Sequence, residues 1–266
     1  YRGRAGLCLT TGLYLMISEV GLILVGDELL RGNRQDKHME YMIGLLRDRG
    51  MELSWVRVIG DDSAQITETL KDTMARSALV FSFGGIGATP DDVTRASAAA
   101  ALGVDVVRHP EAVHLLEEQF GEAAYPKRIL MAEIPAGAEL IPNPVNRVPG
   151  FKLQHHHFLP GFPNMAWPMA EWVLDTHYAD LFNDNPRAED RLYILNTPES
   201  ELIDEMNLLL ERYPELGLSS LPDTKHRKRI DFGLKGPKEV VTAAKADLLQ
   251  WLEQEGIDWS PLGSEL

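Results

Sequence analysis

A chain of 266 residues suffices for one large or two modest domains, and 44% hydrophobic with 25% charged residues describes a globular protein able to bury a core, not a disordered one. The net charge of -14 excludes bulk electrostatic attraction to nucleic acid or to an anionic membrane, leaving only a local basic patch for such a role. One cysteine, Cys8, excludes an internal disulfide and a cysteine-built zinc site within this sequence, so a reducing compartment, the cytoplasm, is expected.

Arg2 and Arg4 precede an apolar run from Leu7 to Ile17 that imitates a short signal peptide, yet no small-residue cleavage site follows it. Residues 1–15 are therefore read as sequence upstream of a start at Met16, and 1–17 as an extra N-terminal segment. Val20–Val25 (VGLILV), stopped by Gly26-Asp27, reads as a strand buried on both faces and hence as part of a parallel sheet. Over 36–49, Met39, Met42, Ile43 and Leu46 fall at helical spacing before Gly50. Leu53–Ile59 is the next expected strand, and Asp61-Asp62-Ser63 can cap a helix over 64–76 with Ile66, Leu70 and Met74 on one face. Ala78–Phe83 follows as a strand. This alternation specifies an α/β domain with helices on both faces of the sheet.

Thr89-Pro90-Asp91-Asp92 is expected to open a helix to Leu102, with Thr89 as N-cap and Pro90 at the first helical position. An acidic helix over 111–123 precedes a Pro- and Gly-rich stretch over 125–165 with short strands near 139–142 and 153–159. A helix over 166–178, with Pro168 in its first turn, closes the domain, and Asn183–Arg187 is the expected linker. Residues 188–260 read as a small α+β domain: strand 192–196, helix 199–212, strands 216–221 and 229–235, helix 238–255. No apolar segment reaches membrane-spanning length.

In open parallel sheets, ligands sit beyond the carboxyl ends of strands. Three acid-bearing turns occupy such ends: Gly26-Asp27-Glu28, Gly60-Asp61-Asp62 and the loop Gly84–Asp92. If their strands are neighbours, the turns form one crevice. Gly84, Gly85 and Gly87 would then expose backbone N–H groups, beside a helix N-terminus, to a phosphate or a pterin-like ring. Asp61 and Asp92, across the crevice, would hold a divalent ion or take a proton from an attacking hydroxyl or water. Each feature has an ordinary reading too: Asp91 and Asp92 as first-turn helix acids, Asp61 as an N-cap, and glycines that match neither G-x-G-x-x-G nor G-x-x-x-x-G-K-[ST]. The conjunction of three acid turns points to a site. His155, His156 and His157 lack an acidic or cysteine partner beside them and read as facing a ligand or solvent rather than a metal. The run KHRKR over 225–229 reads as a solvated hairpin rather than a nucleic-acid patch, and Trp167 and Trp172 as core.

Gly26-Asp27-Glu28-Leu29-Leu30 with Gly32 and Asp36, Gly60-Asp61-Asp62, and Gly84-Gly85-Ile86-Gly87-Ala88-Thr89-Pro90-Asp91-Asp92-Val93-Thr94 together resemble the MoaB/Mog molybdopterin-binding domain. The nearest likeness is to its version in the competence/damage-inducible protein A family, whose later loops match Pro135, Asn143, Pro149-Gly150-Phe151 and Pro160-Gly161-Phe162-Pro163. The match spans about residues 19–178. It implies a three-layer α/β domain with a mostly parallel sheet over 18–182, commonly trimeric or otherwise oligomeric, that binds a pterin or a nucleotide diphosphate. In members that adenylylate molybdopterin, two aspartates act with Mg2+, and their positions fall on Asp61 and Asp92. Ligand contacts are implied at Gly26, Asp27, Glu28, Gly84, Gly85, Gly87, Thr89, Asp91, Thr94, Asn143, Pro160 and Gly161.

The competence-protein branch is linked to Mg-dependent hydrolysis of nucleotide pyrophosphates such as ADP-ribose or FAD. The alternative is a pterin- or nucleotide-binding protein without turnover, related to molybdenum cofactor biosynthesis. Residues 188–260 resemble a shortened middle domain of that branch. The nicotinamide-nucleotide deamidase domain of longer members has no match here, and that activity is not expected of these residues. Two departures stand out: Ala88-Thr89 where the family usually has Gly-Pro-Thr, and Lys37-His38 where Thr-Asn is common.

Overall fold

The computed structural model describes residues 17–183, 187–223 and 229–262. The expected upstream segment up to residue 16, linker residues 184–186 and the basic residues 225–228 lie outside the described residues. The chain divides into two compact units, one up to Phe182 and one from Asn183 onward.

The first unit runs β1 (Glu19–Val25), α1 (Asp27–Leu30), α2 (His38–Arg47), β2 (Trp55–Ile59), α3 (Ser63–Met74), β3 (Ala78–Phe83) and α4 (Thr94–Leu102). It continues with β4 (Val106–Arg108), α5 (Pro110–Phe120), β5 (Glu133–Pro135), β6 (Glu139–Ile141), β7 (Gly150–Leu153), β8 (His156–Leu159) and α6 (Pro163–His177). Six strands form one sheet in the order β2-β1-β3-β8-β7-β6. The pairs β2-β1, β1-β3 and β3-β8 are parallel, while β8-β7 and β7-β6 are antiparallel.

Two apolar layers explain why the central strands are apolar without alternation. Leu22, Leu24, Phe81 and Phe83 pack with Met42 and Leu46 of α2 and with Met169 and Val173 of α6. Their odd-even neighbours Ile23, Val25 and Val80 pack with Ile66 and Leu70 of α3 and Ala98 of α4. The result is the three-layer, mostly parallel α/β architecture.

Several local expectations are corrected. On α2 the inward face carries His38, Met42, Leu45 and Leu46, whereas Met39 and Ile43 are 42% and 44% exposed. The stripe is therefore set by His38, whose ring stacks on Phe83 at 4.3 Å. The helix expected from Pro90 begins at Thr94 instead. Its capping signature is used by a turn, in which the Asp92 N–H donates to the Thr89 carbonyl at 3.0 Å and the Thr89 N–H to Asp92 Oδ2 at 2.9 Å. Pro168 lies inside α6 because Pro163 takes the first turn. Trp167 and Trp172 are half-buried at the edge of the core, with Trp167 stacked on Tyr41 at 4.2 Å.

The histidine run faces neither ligand nor solvent along its length. His156 and His157 are buried in β8, His156 Nε2 meeting Thr73 Oγ1 at 2.9 Å and His157 Nδ1 the Val80 carbonyl at 3.2 Å. The Tyr178 hydroxyl sits 3.2 Å from His155 Nδ1 and 3.3 Å from His157 Nε2. A strand covered on both faces has no solvent side, which single-sequence periodicity does not reveal for imidazole.

The second unit comprises β9 (Ala188–Leu195), α7 (Ile203–Arg212), β10 (Gly217–Pro222), β11 (Arg229–Gly236), α8 (Lys238–Glu255) and β12 (Trp259–Pro261). Its antiparallel sheet has the order β10-β11-β9-β12, and Ile194, Phe232 and Leu234 pack against Leu248 and Leu252 of α8. The added strand β12 pairs with β9 over three residues, too few to register in the sequence pattern. No helix among the described residues is long and apolar enough to cross a membrane.

Candidate functional site

Parallel pairing brings the carboxyl ends of β2, β1, β3 and β8 to one edge of the sheet. The turns that follow Val25, Ile59 and Phe83 are thus neighbours, and the turn Pro160-Gly161 joins them from β8. Backbone bonds fix the row: the Gly26 N–H donates to the Ile59 carbonyl at 3.0 Å and the Gly84 N–H to the Leu159 carbonyl at 3.0 Å.

Within the row, the acid turns are cross-tied. The Asp27 N–H donates to Asp61 Oδ2 at 2.9 Å, and the Asp61 N–H to Asp27 Oδ1 at 3.3 Å. Arg31 closes on Asp27 Oδ2 at 2.6 Å, so Asp27 is fully engaged in holding the turns. The Asp61 pKa is raised from its ordinary value, first by burial and then by the charges of Glu28, Asp27 and Asp91, against the opposing Asp27 N–H. Asp62 caps α3 through Gln65 N–H at 2.7 Å.

The glycine loop is shaped by close approach. Gly84 has φ 104, and a Cβ there would run into the Val25 carbonyl. A Cβ on Gly87 would lie 2.5 Å from Asp92 Oδ2. Beneath the loop, buried Thr94 donates its hydroxyl to the Gly84 carbonyl at 3.1 Å and its N–H to the Gly85 carbonyl at 3.0 Å. Arg95 reaches the Gly87 carbonyl at 2.6 Å, the Glu133 carbonyl at 2.9 Å and the Leu130 carbonyl. Burial pulls its pKa below the usual arginine value, an indication of how far the guanidinium is drawn out of water.

A cleft of about 480 Å³ opens over this row. Among the residues expected at the site, Glu28, Asp61, Gly84, Gly85, Gly87, Thr89, Asp91, Asp92, Asn143, Pro160 and Gly161 line it, whereas Gly26, Asp27 and Thr94 stand behind the lining. Asn143 is turned into its own loop, donating to Asn146 Oδ1 at 2.8 Å and to the Val148 carbonyl at 3.0 Å, and accepting from the Val145 N–H at 3.0 Å. Asp92 Oδ2 accepts from the Thr89 hydroxyl at 2.5 Å as well as from its N–H.

Sequence reasoning missed the opposite wall. Ile86, Phe120, Met131, Phe162 and Met165 line it, and the Arg34 guanidinium lies 5.5 Å from the Phe162 ring centroid. Phe120, Met131 and Met165 come from α5, a 3-10 turn over Arg128–Ala132 and the start of α6, segments with no ligand signature, while Ile86 and Phe162 belong to the glycine loop and to the turn after β8. Arg95 did have a signal: it is the one charged residue in the helix TRASAAAAL. A wall of apolar side chains opposite backbone N–H groups and carboxylates suits a flat ring carrying phosphates.

The family model described as "Probable molybdopterin binding domain" matches residues 21–178. A CinA-like protein of Anaeromyxobacter sp. (strain Fw109-5) is 38% identical over 224 residues, 81% of this chain and 51% of the relative, so the chain spans about half that relative's length. A protein of Pyrobaculum arsenaticum is 36% identical over 208 residues, 76% of this chain and 78% of the relative. Among solved structures, the CinA protein "with unknown function" from Thermoplasma acidophilum superposes with a TM-score of 0.54 at 27% identity, covering 59% of this chain and 97% of that one.

Proposed function

The chain belongs to the family of the probable molybdopterin binding domain, and from that premise we propose that its cleft binds a pterin or nucleotide diphosphate and hydrolyses a nucleotide pyrophosphate of the ADP-ribose or FAD kind. One observation carries the reading: the glycine loop and the carboxylates of Asp61 and Asp92 line the same cleft, and each carboxylate has one oxygen, Oδ1, without a hydrogen-bond partner among the described residues.

Among the described residues no three His, Cys, Asp or Glu side chains converge as a metal site. Asp61 and Asp92 therefore fit Mg2+ only in the form it commonly takes at phosphates, one or two carboxylates with phosphate and water completing the shell. The raised Asp61 carboxyl, crowded by Glu28, Asp27 and Asp91, favours a cation at that spot. Mg2+ held there would neutralise charge on the transferred phosphoryl group.

The chain's own residues supply the rest. Backbone N–H groups of the glycine loop between Gly84 and Thr89, whose own N–H groups are held by the Leu159 carbonyl and Asp92, receive phosphate oxygens. Asp61 accepts a proton from water as the water oxygen bonds to one phosphorus and the bridging oxygen departs with the other phosphate. Ile86, Phe120 and Met165 pack the ring and exclude bulk water. A second reading, binding without turnover, is favoured by the hold of Thr89 on Asp92 Oδ2, which keeps that oxygen in its own turn. The reading also includes a homo-oligomer, as the family resemblance implies, and the cytoplasm expected from the single cysteine.

Equilibrium binding tests the site. ADP-ribose and FAD, titrated with Mg2+ into the wild type and into Ala88→Trp, should bind the former and fail with the latter at unchanged Tm. Equal binding by both would put the ligand outside this cleft.

A further inference from the structure

A second cavity of about 400 Å³ adjoins the first and shares Val25, Glu28, Arg34 and Gly161 with it. Its remaining lining includes Asp36, Lys37 and His38, the stretch that enters α2. The charges in this side cavity are not equivalent. Both Asp36 oxygens are spent on α2, accepting the His38 N–H at 3.0 Å and the Met39 N–H at 2.9 Å. Glu28 meets Arg34 only at 3.9 Å, and both residues also line the main cleft. Lys37 is exposed and its ammonium has no partner among the described residues. His38 is 6% exposed, its Nε2 lies 3.3 Å from the Gly161 carbonyl, and its Nδ1 is buried without a partner. Burial holds the imidazole below its ordinary pKa, so at neutral pH it adds shape and a ring face, not charge.

A cation site is disfavoured, because each Asp36 oxygen already accepts an α2 N–H and the Glu28 charge is faced by Arg34. A free ammonium and a guanidinium shared with the main cleft instead suit a negative group arriving from the direction of Gly161. We propose that the side cavity is a specificity pocket for an anionic substituent, a phosphomonoester or carboxylate, on the outer arm of the ligand held in the main cleft, with Lys37 and Arg34 as its recognition residues. The inference rests on the ligand-site reading of the main cleft and adds to it a preference for two-armed nucleotides bearing an additional anion. Charge-assisted contacts at a partly solvated position should give the anionic ligand about a tenfold advantage in affinity at low salt, shrinking as ionic strength rises.

The test uses ligand pairs that differ by one anionic group: NAD and NADP, dephospho-CoA and CoA, UDP-glucose and UDP-glucuronate. Calorimetry on the wild type, Lys37→Ala and Lys37→Arg, at two salt concentrations, yields the affinity ratio within each pair. The proposal expects at least one pair with a ratio near ten, falling toward one in Lys37→Ala and restored in Lys37→Arg. Equal affinities within every pair, or a preference that persists in Lys37→Ala, would overturn the pocket while leaving the main cleft standing. Failure of every member to bind, with ADP-ribose and FAD also silent and the melting curve intact, would remove the pocket together with the ligand-site reading.

Discussion

Asp27 and Asp61 exchange hydrogen bonds across the ends of two parallel strands, each backbone N–H donating to the other's carboxylate at 2.9 and 3.3 Å. The exchange assigns the two acids different work. Asp27 is saturated by Asp61 N–H and Arg31, while Asp61 keeps an oxygen toward the cleft. Asp27→Ala should therefore cost about 1 kcal/mol of stability in urea denaturation, without emptying the cleft of its reacting carboxylate.

The same variant has a pH signature. Asp61 is raised by burial and by neighbouring negative charge, Asp27 included. Any activity that needs ionised Asp61 should lose its acid limb above the ordinary carboxylate pKa of 3.8, and Asp27→Ala should move that limb to lower pH. A carboxyl raised in the folded state binds its proton more tightly there than when unfolded, so this group favours folding on the acid side. A pH-rate profile of the two proteins checks the direction of the move.

Histidines act with the opposite sign. Burial lowers His156 from 6.5 to about 3 and lowers His157 well below its ordinary value. Below pH 6.5 the unfolded chain takes up protons that the folded core refuses, so stability falls with pH by up to about 1.4 kcal/mol per pH unit for each such histidine. Urea midpoints at pH 7, 6 and 5 should show this fall, and His156→Gln should flatten it in part, since His157, His38, His155 and His177 are also lowered by burial. A flat wild-type curve would mean that the imidazoles are not held neutral.

The glycine loop gives a steric prediction. Gly84 has a positive φ of 104 and faces the Val25 carbonyl at contact distance, backbone against backbone, where no flexible side chain can yield. Gly84→Ala should lose at least about 2 kcal/mol, read as a lower Tm.

Arg95 holds the far side of that loop through three carbonyls. Arg95→Met should cost about 2 kcal/mol, since the carbonyls lose a shared donor. Amide hydrogen exchange at residues 86–88 should quicken more than at β3, which is anchored by its own sheet partners.

Much of this was legible in the residues themselves. The unbroken apolar run at Val20–Val25 announced a strand covered on both faces, Ala78–Phe83 read as a further strand, and glycine-acid turns after them marked the ligand edge. The order β2-β1-β3-β8, which makes those turns neighbours, comes from pairing between distant segments and is not written in any one of them. The apolar wall was hidden for the same reason: Phe120 and Met131 are ordinary apolar residues until the chain folds α5 and its following turn over the glycine loop. At Thr89–Asp92, a capping pattern that fits a helix start was satisfied by a turn closed on Asp92, and α4 begins only at Thr94. His156 and His157 were misread because a polar residue on a doubly covered strand is made tolerable by partners such as Thr73 and Tyr178, far away in sequence.

The central claim is that this cleft breaks a nucleotide anhydride with Asp61 and Asp92. The measurement that tests it most directly is AMP release, by chromatography, from ADP-ribose, FAD, NAD and ATP in the presence of Mg2+, by the wild type and by Asp92→Asn. The account predicts AMP from at least one of them, lost in Asp92→Asn at unchanged Tm. Absence of AMP from all four in wild-type protein, or equal release by the variant, would contradict it.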